Sequence, residues 1–219
     1  MQAGMSDEIR VNIGEKSGNK TKVFANGTFI GALYPAEIRR YSLEDGCGIS
    51  EEVYDEIMTD VLLHRAKVRL MNILIKSDRT EAELRKKLKD NLYCDETADR
   101  AIEYVRSFHY IDDLRTAECY IRSKIGSMSE REIRYNLENK GISREMADMA
   151  YENVLESGEN EDSEACAAEN FLRKKLGNRL LSGDEIPEDE LHRIYAAAYR
   201  KGFRQESIRC ALKRLINES

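Results

Sequence analysis

The sequence predicts a mainly α-helical protein of three tandem, winged-helix-like three-helix repeats forming an elongated array, with a small β-hairpin or sheet at its N-terminal end. Three observations predict this: an apolar pattern that recurs three times, a helix-start and helix-stop grammar at matching places in each copy, and a short alternating stretch that precedes them.

The recurrence is read directly from the residues. Leu84, Leu88, Tyr93, Ala98, Ala101, Ile102 and Val105 return 49 positions later as Ile133, Leu137, Ile142, Ala147, Ala150, Tyr151 and Val154. A further shift of 61 gives Ile194, Ala198, Phe203, Ile208, Ala211, Leu212 and Leu215. All of these positions stay apolar in a chain that is only 41% hydrophobic, so chance agreement is a poor explanation. Thr80 with Glu83, and Ser129 with Glu132, fit the capping box of a helix start. Lys140-Gly141-Ile142 and Lys201-Gly202-Phe203 place glycine where a helix should stop in a left-handed residue, whereas the first copy has Leu92 there.

Upstream, Ile9 to Ile13 alternates, and Asn26-Gly27 stands between Lys22-Val23-Phe24-Ala25 and Thr28-Phe29-Ile30. Asn-Gly between apolar runs is a hairpin signal because both turn residues need positive φ. A short helix is expected from Tyr34-Pro35, a loop at Gly46-Cys47-Gly48, and a helix from Glu51 to Ile75 capped by Ser50. The first helices of the second and third copies are expected at Asp113–Ile125 and Ser163–Leu176, and second helices at Asp95–Arg106 and Arg144–Asn153. The expected divisions are an N-terminal β-containing extension at 1–50 and three-helix modules at 51–109, 110–157 and 158–219, the last carrying an acidic, exposed insertion at 177–189. Residues 156–162 read as a flexible connector. A module of about fifty residues has a marginal core, so each gains by packing on its neighbours.

Composition narrows the classes. No apolar run is long enough for a membrane helix and Met1 to Arg10 lacks the apolar region of a signal peptide, so a cytoplasmic protein with no membrane partner is expected. Five scattered cysteines without a C-x-x-C pair read as reduced thiols. A net charge of −6 argues against indiscriminate nucleic-acid binding, yet residues 191–215 hold seven basic residues and one acidic. No catalytic constellation, metal site or cofactor motif stands out, and a non-enzymatic protein is expected. His64, His109 and His192 are far apart, and Asp112 and Asp113 beside His109 read better as a helix cap than as metal ligands. Tyr93, Tyr104, Tyr151, Tyr195 and Tyr199 fall at or near repeat core positions and read as packing residues.

The basic residues carry the binding expectation. Arg85 and Arg134 occupy equivalent positions, as do Arg122 and Arg173, with Lys124 and Lys174 close by. Arg200, Lys201, Arg204, Arg209, Lys213 and Arg214 form the densest cluster. For most of them a solvated helix face is the plain alternative; recurrent placement would instead line cations along one side of an array, suited to an acidic protein groove or to phosphates. Sequence-specific DNA recognition by a helix–turn–helix is the rival reading, opposed by the excess of acids on the expected second helices.

The run Arg79-Thr80-Glu81-Ala82-Glu83-Leu84-Arg85-Lys86-Lys87-Leu88 resembles the R-[ST]-x-x-E-L-x-x-K-L signature of the RecX family. Tyr110-Ile111-Asp112-Asp113-Leu114-Arg115-Thr116-Ala117 is similar to that family's second-module entry, and Arg200-Lys201-Gly202-Phe203 to its Arg-Arg-Gly-Phe. The resemblance covers roughly residues 60–215, with departures at Leu92, at Lys201 and in the acidic insertion. It implies a bacterial regulator of tandem three-helix modules that binds the RecA recombinase filament, inhibits its ATPase and strand exchange and, in some members, also binds DNA; a monomer is expected, with single- or double-stranded DNA as a further partner.

Overall fold

A computed structural model of the chain describes residues 8–156, 163–177 and 187–217. They form two compact units, one ending at Ile111 and the other beginning at Asp112. All of the connector expected at 156–162 except Glu156, and most of the acidic insertion expected at 177–189, lie outside the described residues.

The first unit opens with β1 (Ile9–Ser17), β2 (Lys20–Ala25) and β3 (Thr28–Leu33). Asn26 and Gly27 both take positive φ, 48° and 79°, and close the β2–β3 hairpin with Ala25 opposite Thr28. After α1 (Pro35–Arg40) the chain returns as β4 (Gly48–Ile49), giving an antiparallel sheet in the order β3-β2-β1-β4. Part of the expected Gly46–Gly48 loop is therefore a strand.

The expected long helix exists, but not as one regular α-helix. Its first part, α2 (Glu51–Glu56), continues as a π-helix over Ile57–Leu63 into α3 (His64–Leu74). Ile57 and Leu62 stand five apart, the spacing that π winding brings to one face, and both are buried against the sheet with Val11, Val23 and Leu33. Leu63, Ala66 and Leu70 instead join a separate core with α4 (Glu81–Lys89) and α5 (Asp95–Ser107). One helix thus serves two cores, and the change of winding lies where the service changes.

The second unit repeats this helical grouping twice. Helices α6 (Asp113–Lys124), α7 (Glu130–Asn139) and α8 (Arg144–Glu156) enclose Ile121, Ile133, Leu137 and Tyr151. Helices α9 (Ser163–Leu176), α10 (Glu188–Lys201) and α11 (Gln205–Asn217) enclose Leu172, Ala198, Phe203 and Ile208. Every recurrent apolar position named from the sequence is buried in these cores except Leu212, which is half-buried. Each such Leu or Ile contributes on the order of 2 kcal/mol by leaving water.

The joints after α4, α7 and α10 share one construction. Tyr93, Ile142 and Phe203 donate their backbone N–H to the carbonyls of Leu88, Leu137 and Ala198 at 3.3, 3.0 and 3.3 Å. Gly141 and Gly202 supply the left-handed residue at φ 83° and 98°, and Leu92 adopts the same conformation at φ 63°. The departure at Leu92 is therefore one of residue type and not of backbone path. Tyr93, immediately after it, bridges to Gly31 of β3 and ties the joint to the sheet.

Candidate partner-binding surface

The helix starts position the cations. Thr80 caps α4 through the full reciprocal box with Glu83. Ser129 accepts from the Glu132 N–H at 3.2 Å, but the Glu132 carboxylate turns outward to Lys201 Nζ at 2.6 Å. Asp112 caps α6 by accepting from the Arg115 N–H at 2.9 Å, the role expected of it.

Most of the recurrent arginines are held in ion pairs that are themselves recurrent. Arg85 pairs with Glu81 and Asp99, and Arg134, 49 positions on, with the equivalent Glu130 and Asp148. Arg122 pairs with Glu118 at 3.4 Å, and Arg173, 51 positions on, with Glu169 at 3.0 Å. Burial pushes the Glu81 carboxyl upward, but hydrogen bonds and charge from Arg85 and Arg106 outweigh it and hold the group below its ordinary value. Exposed pairs of this kind each contribute about 0.2–1 kcal/mol, and their charge is largely spent locally.

The dense cluster divides in two. Lys201 and Arg204 act as ties across the second unit: Lys201 holds Glu132, while Arg204 holds Glu130 and, at 3.6 Å, Glu164. Ser129 Oγ donates to the Lys201 carbonyl at 2.9 Å, and a Cβ on Gly202 would meet Arg131 Cβ at 2.9 Å, so the α10–α11 joint is pressed against the start of α7. Arg200, Arg209, Lys213 and Lys174 are exposed and make no ion pair with a described acid; Arg200 bonds to the Ala196 carbonyl of its own helix. Arg209 and Lys213, four apart on α11, share one helical face. Lys124 is half-buried near the end of α6.

A cavity of about 320 Å³ lies between the two helix groups of the second unit, lined by Glu130, Glu164, Arg204 and Tyr151 among others. Its charged groups answer one another, and burial pushes the Tyr151 hydroxyl well above the ordinary range, so it stays a neutral phenol beneath the Arg134 guanidinium. Among the described residues no group of three or more His, Cys, Asp or Glu is placed to hold a metal ion, and no helix is long and apolar enough to cross a membrane.

Two features were missed in the sequence. Tyr104 and Tyr199 are not core residues but lie exposed. Tyr104, Phe108 and Tyr110 form a surface ladder with ring centroids 5.1 and 5.8 Å apart. A second group of cations, Lys20, Arg65 and Arg69, gathers where the sheet meets α3. The stripe Arg65–Arg69 was legible as helical spacing, but no local signal places Lys20 of β2 beside it.

Comparison with known proteins follows this architecture. The profile described as the RecX first three-helix domain matches residues 66–104, and that of the RecX second three-helix domain matches residues 112–150. A regulatory protein RecX of Clostridium beijerinckii is 24% identical over 213 residues, covering 97% of each chain. Another of Caldanaerobacter subterraneus is 26% identical over 199 residues, covering 90% of this chain and 94% of the relative. A crystal structure of regulatory protein RecX superposes with a TM-score of 0.59 at 20% identity, covering 96% of this chain and all of the other. That of RecX from Lactobacillus salivarius gives 0.54 at 23% identity over 70% of this chain and 96% of the other. Residues 66–104 and 112–150 thus match the first and second RecX three-helix domains, and the chain is similar over nearly its whole length to regulatory proteins named RecX.

Proposed function

We propose that this chain is a non-enzymatic, cytoplasmic regulator that binds the RecA–DNA filament as a monomer and restrains recombinase ATPase and strand exchange. The similarity to regulatory proteins named RecX supports the choice of partner. The observation that carries the surface is the division of the cations, with Arg85, Arg134, Lys201 and Arg204 spent on internal pairs while Arg200, Arg209 and Lys213 stand exposed on α10 and α11 without an ion pair among the described residues. Those three are the third module's contacts to an acidic groove of the filament. Modules at 51–109, 110–157 and 158–219 each contribute a weak contact, and tethering them in one chain multiplies their effect through effective concentration.

The test is recombinase ATPase on single-stranded DNA with and without the full chain. A concentration-dependent fall in turnover is expected, and turnover that does not respond at saturating chain would overturn the reading. A phosphate-driven binder acting without the recombinase would instead hold duplex DNA alone, with affinity falling steeply as salt rises.

A further inference from the structure

The first unit contains a cleft that the filament reading does not use. It has a volume of about 480 Å³, the size of a small-ligand site, and lies where β2, α3 and α4 converge. Lys20, Arg65, Arg69, Lys76, Arg79 and Lys87 line it, and no carboxylate does. Two of these cations are answered by acids beyond the lining: Arg65 donates to both Glu37 oxygens at 2.8 and 3.0 Å and to the Ala32 carbonyl at 2.7 Å, and Arg79 pairs with Glu83 at 3.5 Å. Lys20, Arg69, Lys76 and Lys87 make no ion pair with a described acid.

Lys20 is the informative member. Only 9% of it is exposed, and its Nζ has one long hydrogen bond, to the Asn91 carbonyl at 3.4 Å. Burial lowers its pKa, and the Arg65 and Arg69 charges lower it further, with Glu37 opposing. The Nε atoms of Arg65 and Arg69 are both buried without a hydrogen-bond acceptor among the described residues. Desolvated cations are ordinarily compensated by an anion, and a buried donor left unmatched is costly. A solvated face accounts for the exposed Lys76 and Lys87. It does not account for a lysine of β2 buried against two arginines of α3.

The walls of the cleft narrow the ligand. The Tyr34 ring lies 5.2 Å from Lys20 Nζ and 4.9 Å from the Arg65 guanidinium, and the Tyr93 ring 5.5 and 5.8 Å from the same two groups. Both rings are thus engaged in holding cations and are poorly placed to stack on an organic ring. We infer that this cleft binds a small oligophosphate, a pyrophosphate or triphosphate group either free or carried by a nucleotide, and recognises it by its phosphates alone. Several unmatched positive charges in one concavity of this size call for a compact ligand with negative charges on neighbouring atoms, which linked phosphates supply and a single carboxylate does not. The guanidinium of Arg69 offers a planar fork to phosphate oxygens, while Lys20, Lys76 and Lys87 act as point charges around it. Arg65, already tied to Glu37 and Ala32, is a positioning residue that keeps Tyr34 and Tyr93 in place. A bound oligophosphate would join β2 to α3 and α4, and so the sheet to the first three-helix core.

The experiment is isothermal titration calorimetry of the full chain with sodium tripolyphosphate in buffer free of divalent cations. Two variants probe the cleft, Lys76→Gln with Lys87→Gln, both exposed, and Lys20→Met, each with its melting curve checked against the parent. Lys16→Gln with Lys86→Gln removes the same charge from exposed positions of the same unit outside the cleft and is the control for diffuse attraction. Saturable binding by the parent is expected, with at least tenfold loss of affinity in the double cleft variant and in Lys20→Met, and less than twofold loss in the control. No saturable binding by the parent, or equal losses in the double cleft variant and the control, would overturn the site. Adenosine triphosphate should bind within threefold of tripolyphosphate, and a tenfold advantage for the nucleotide would overturn recognition by phosphates alone. Citrate should bind at least tenfold more weakly, and equal affinity would overturn the phosphate assignment. Displacement of tripolyphosphate by oligothymidylate at equal or lower total phosphate would overturn the small-ligand assignment.

Discussion

Gly202→Ala tests the docking of the α10–α11 joint on α7. Two separate costs follow from its position. Its φ of 98° puts any L side chain in the left-handed region, at about 1–2 kcal/mol. In addition, the new methyl would stand 2.9 Å from Arg131 Cβ and 3.0 Å from Ser129 Oγ, and because Arg131 Cβ is fixed to backbone the joint itself must withdraw. Overpacking of this kind costs about 1–3 kcal/mol. Withdrawal also lengthens the Ser129 to Lys201 hydrogen bond and the Lys201–Glu132 pair. The sum is about 2–5 kcal/mol. Gly126→Ala is the internal control, since Gly126 has φ 83° but nothing within 4 Å of the added carbon, so only the first cost of about 1–2 kcal/mol applies. Urea unfolding followed by far-ultraviolet circular dichroism, with hydrogen exchange read at residues 129–139 and 198–208, compares the two. Equal losses of stability for both substitutions, or no added exchange at 129–139 in Gly202→Ala, would refute the docking.

Other predictions concern the repeat and its ion pairs. Leu88→Ala and Leu137→Ala, at equivalent fully buried positions, should each destabilise the protein by about 2–5 kcal/mol in the same denaturation assay; a loss under 1 kcal/mol at either would remove it from the repeated core. The Glu81 carboxyl is held below its ordinary value of 4.5, so its contribution is complete above that value and is lost as pH falls through the lower folded value. Thermal melts from pH 6 to pH 3 should therefore show a steeper acid decline for the parent than for Glu81→Gln, and parallel declines would contradict the pairing. Arg134→Met should lower stability by about 1 kcal/mol without changing recombinase inhibition, because its charge is engaged by Glu130 and Asp148. A loss of inhibition at unchanged stability would place Arg134 on the working surface instead.

What was legible in the sequence was local or periodic. The apolar recurrence located three cores because burial acts on the same face of each repeated helix, and Asn26-Gly27 located a hairpin because only a few residues tolerate consecutive positive φ. The left-handed turn at Leu92 was hidden, since a leucine there carries none of the glycine signal although the backbone does the same thing. The π winding at Ile57–Leu63 was hidden too, because an apolar-rich helix looks alike whether it faces one core or two. The candidate surface was legible as a list of cations but not as their division into ties and free charges. Arg204 finds Glu130 across 74 positions, and Lys20 finds Asn91 across 71, distances at which spacing carries no information. Tyr104 and Tyr199 sit near core positions in register, yet their helices turn them to solvent.

The division of cations into structural and functional sets is tested most directly by sedimentation of the chain with recombinase filaments, using two paired variants. Arg209→Glu with Lys213→Glu should raise the concentration needed for half-maximal co-sedimentation at least tenfold while leaving the melting temperature within about 2 °C of the parent. Lys201→Met with Arg204→Met should lower the melting temperature and leave filament binding at low temperature near the parent's. The reverse pattern, with binding lost through Lys201 and Arg204 and stability through Arg209 and Lys213, would contradict the account.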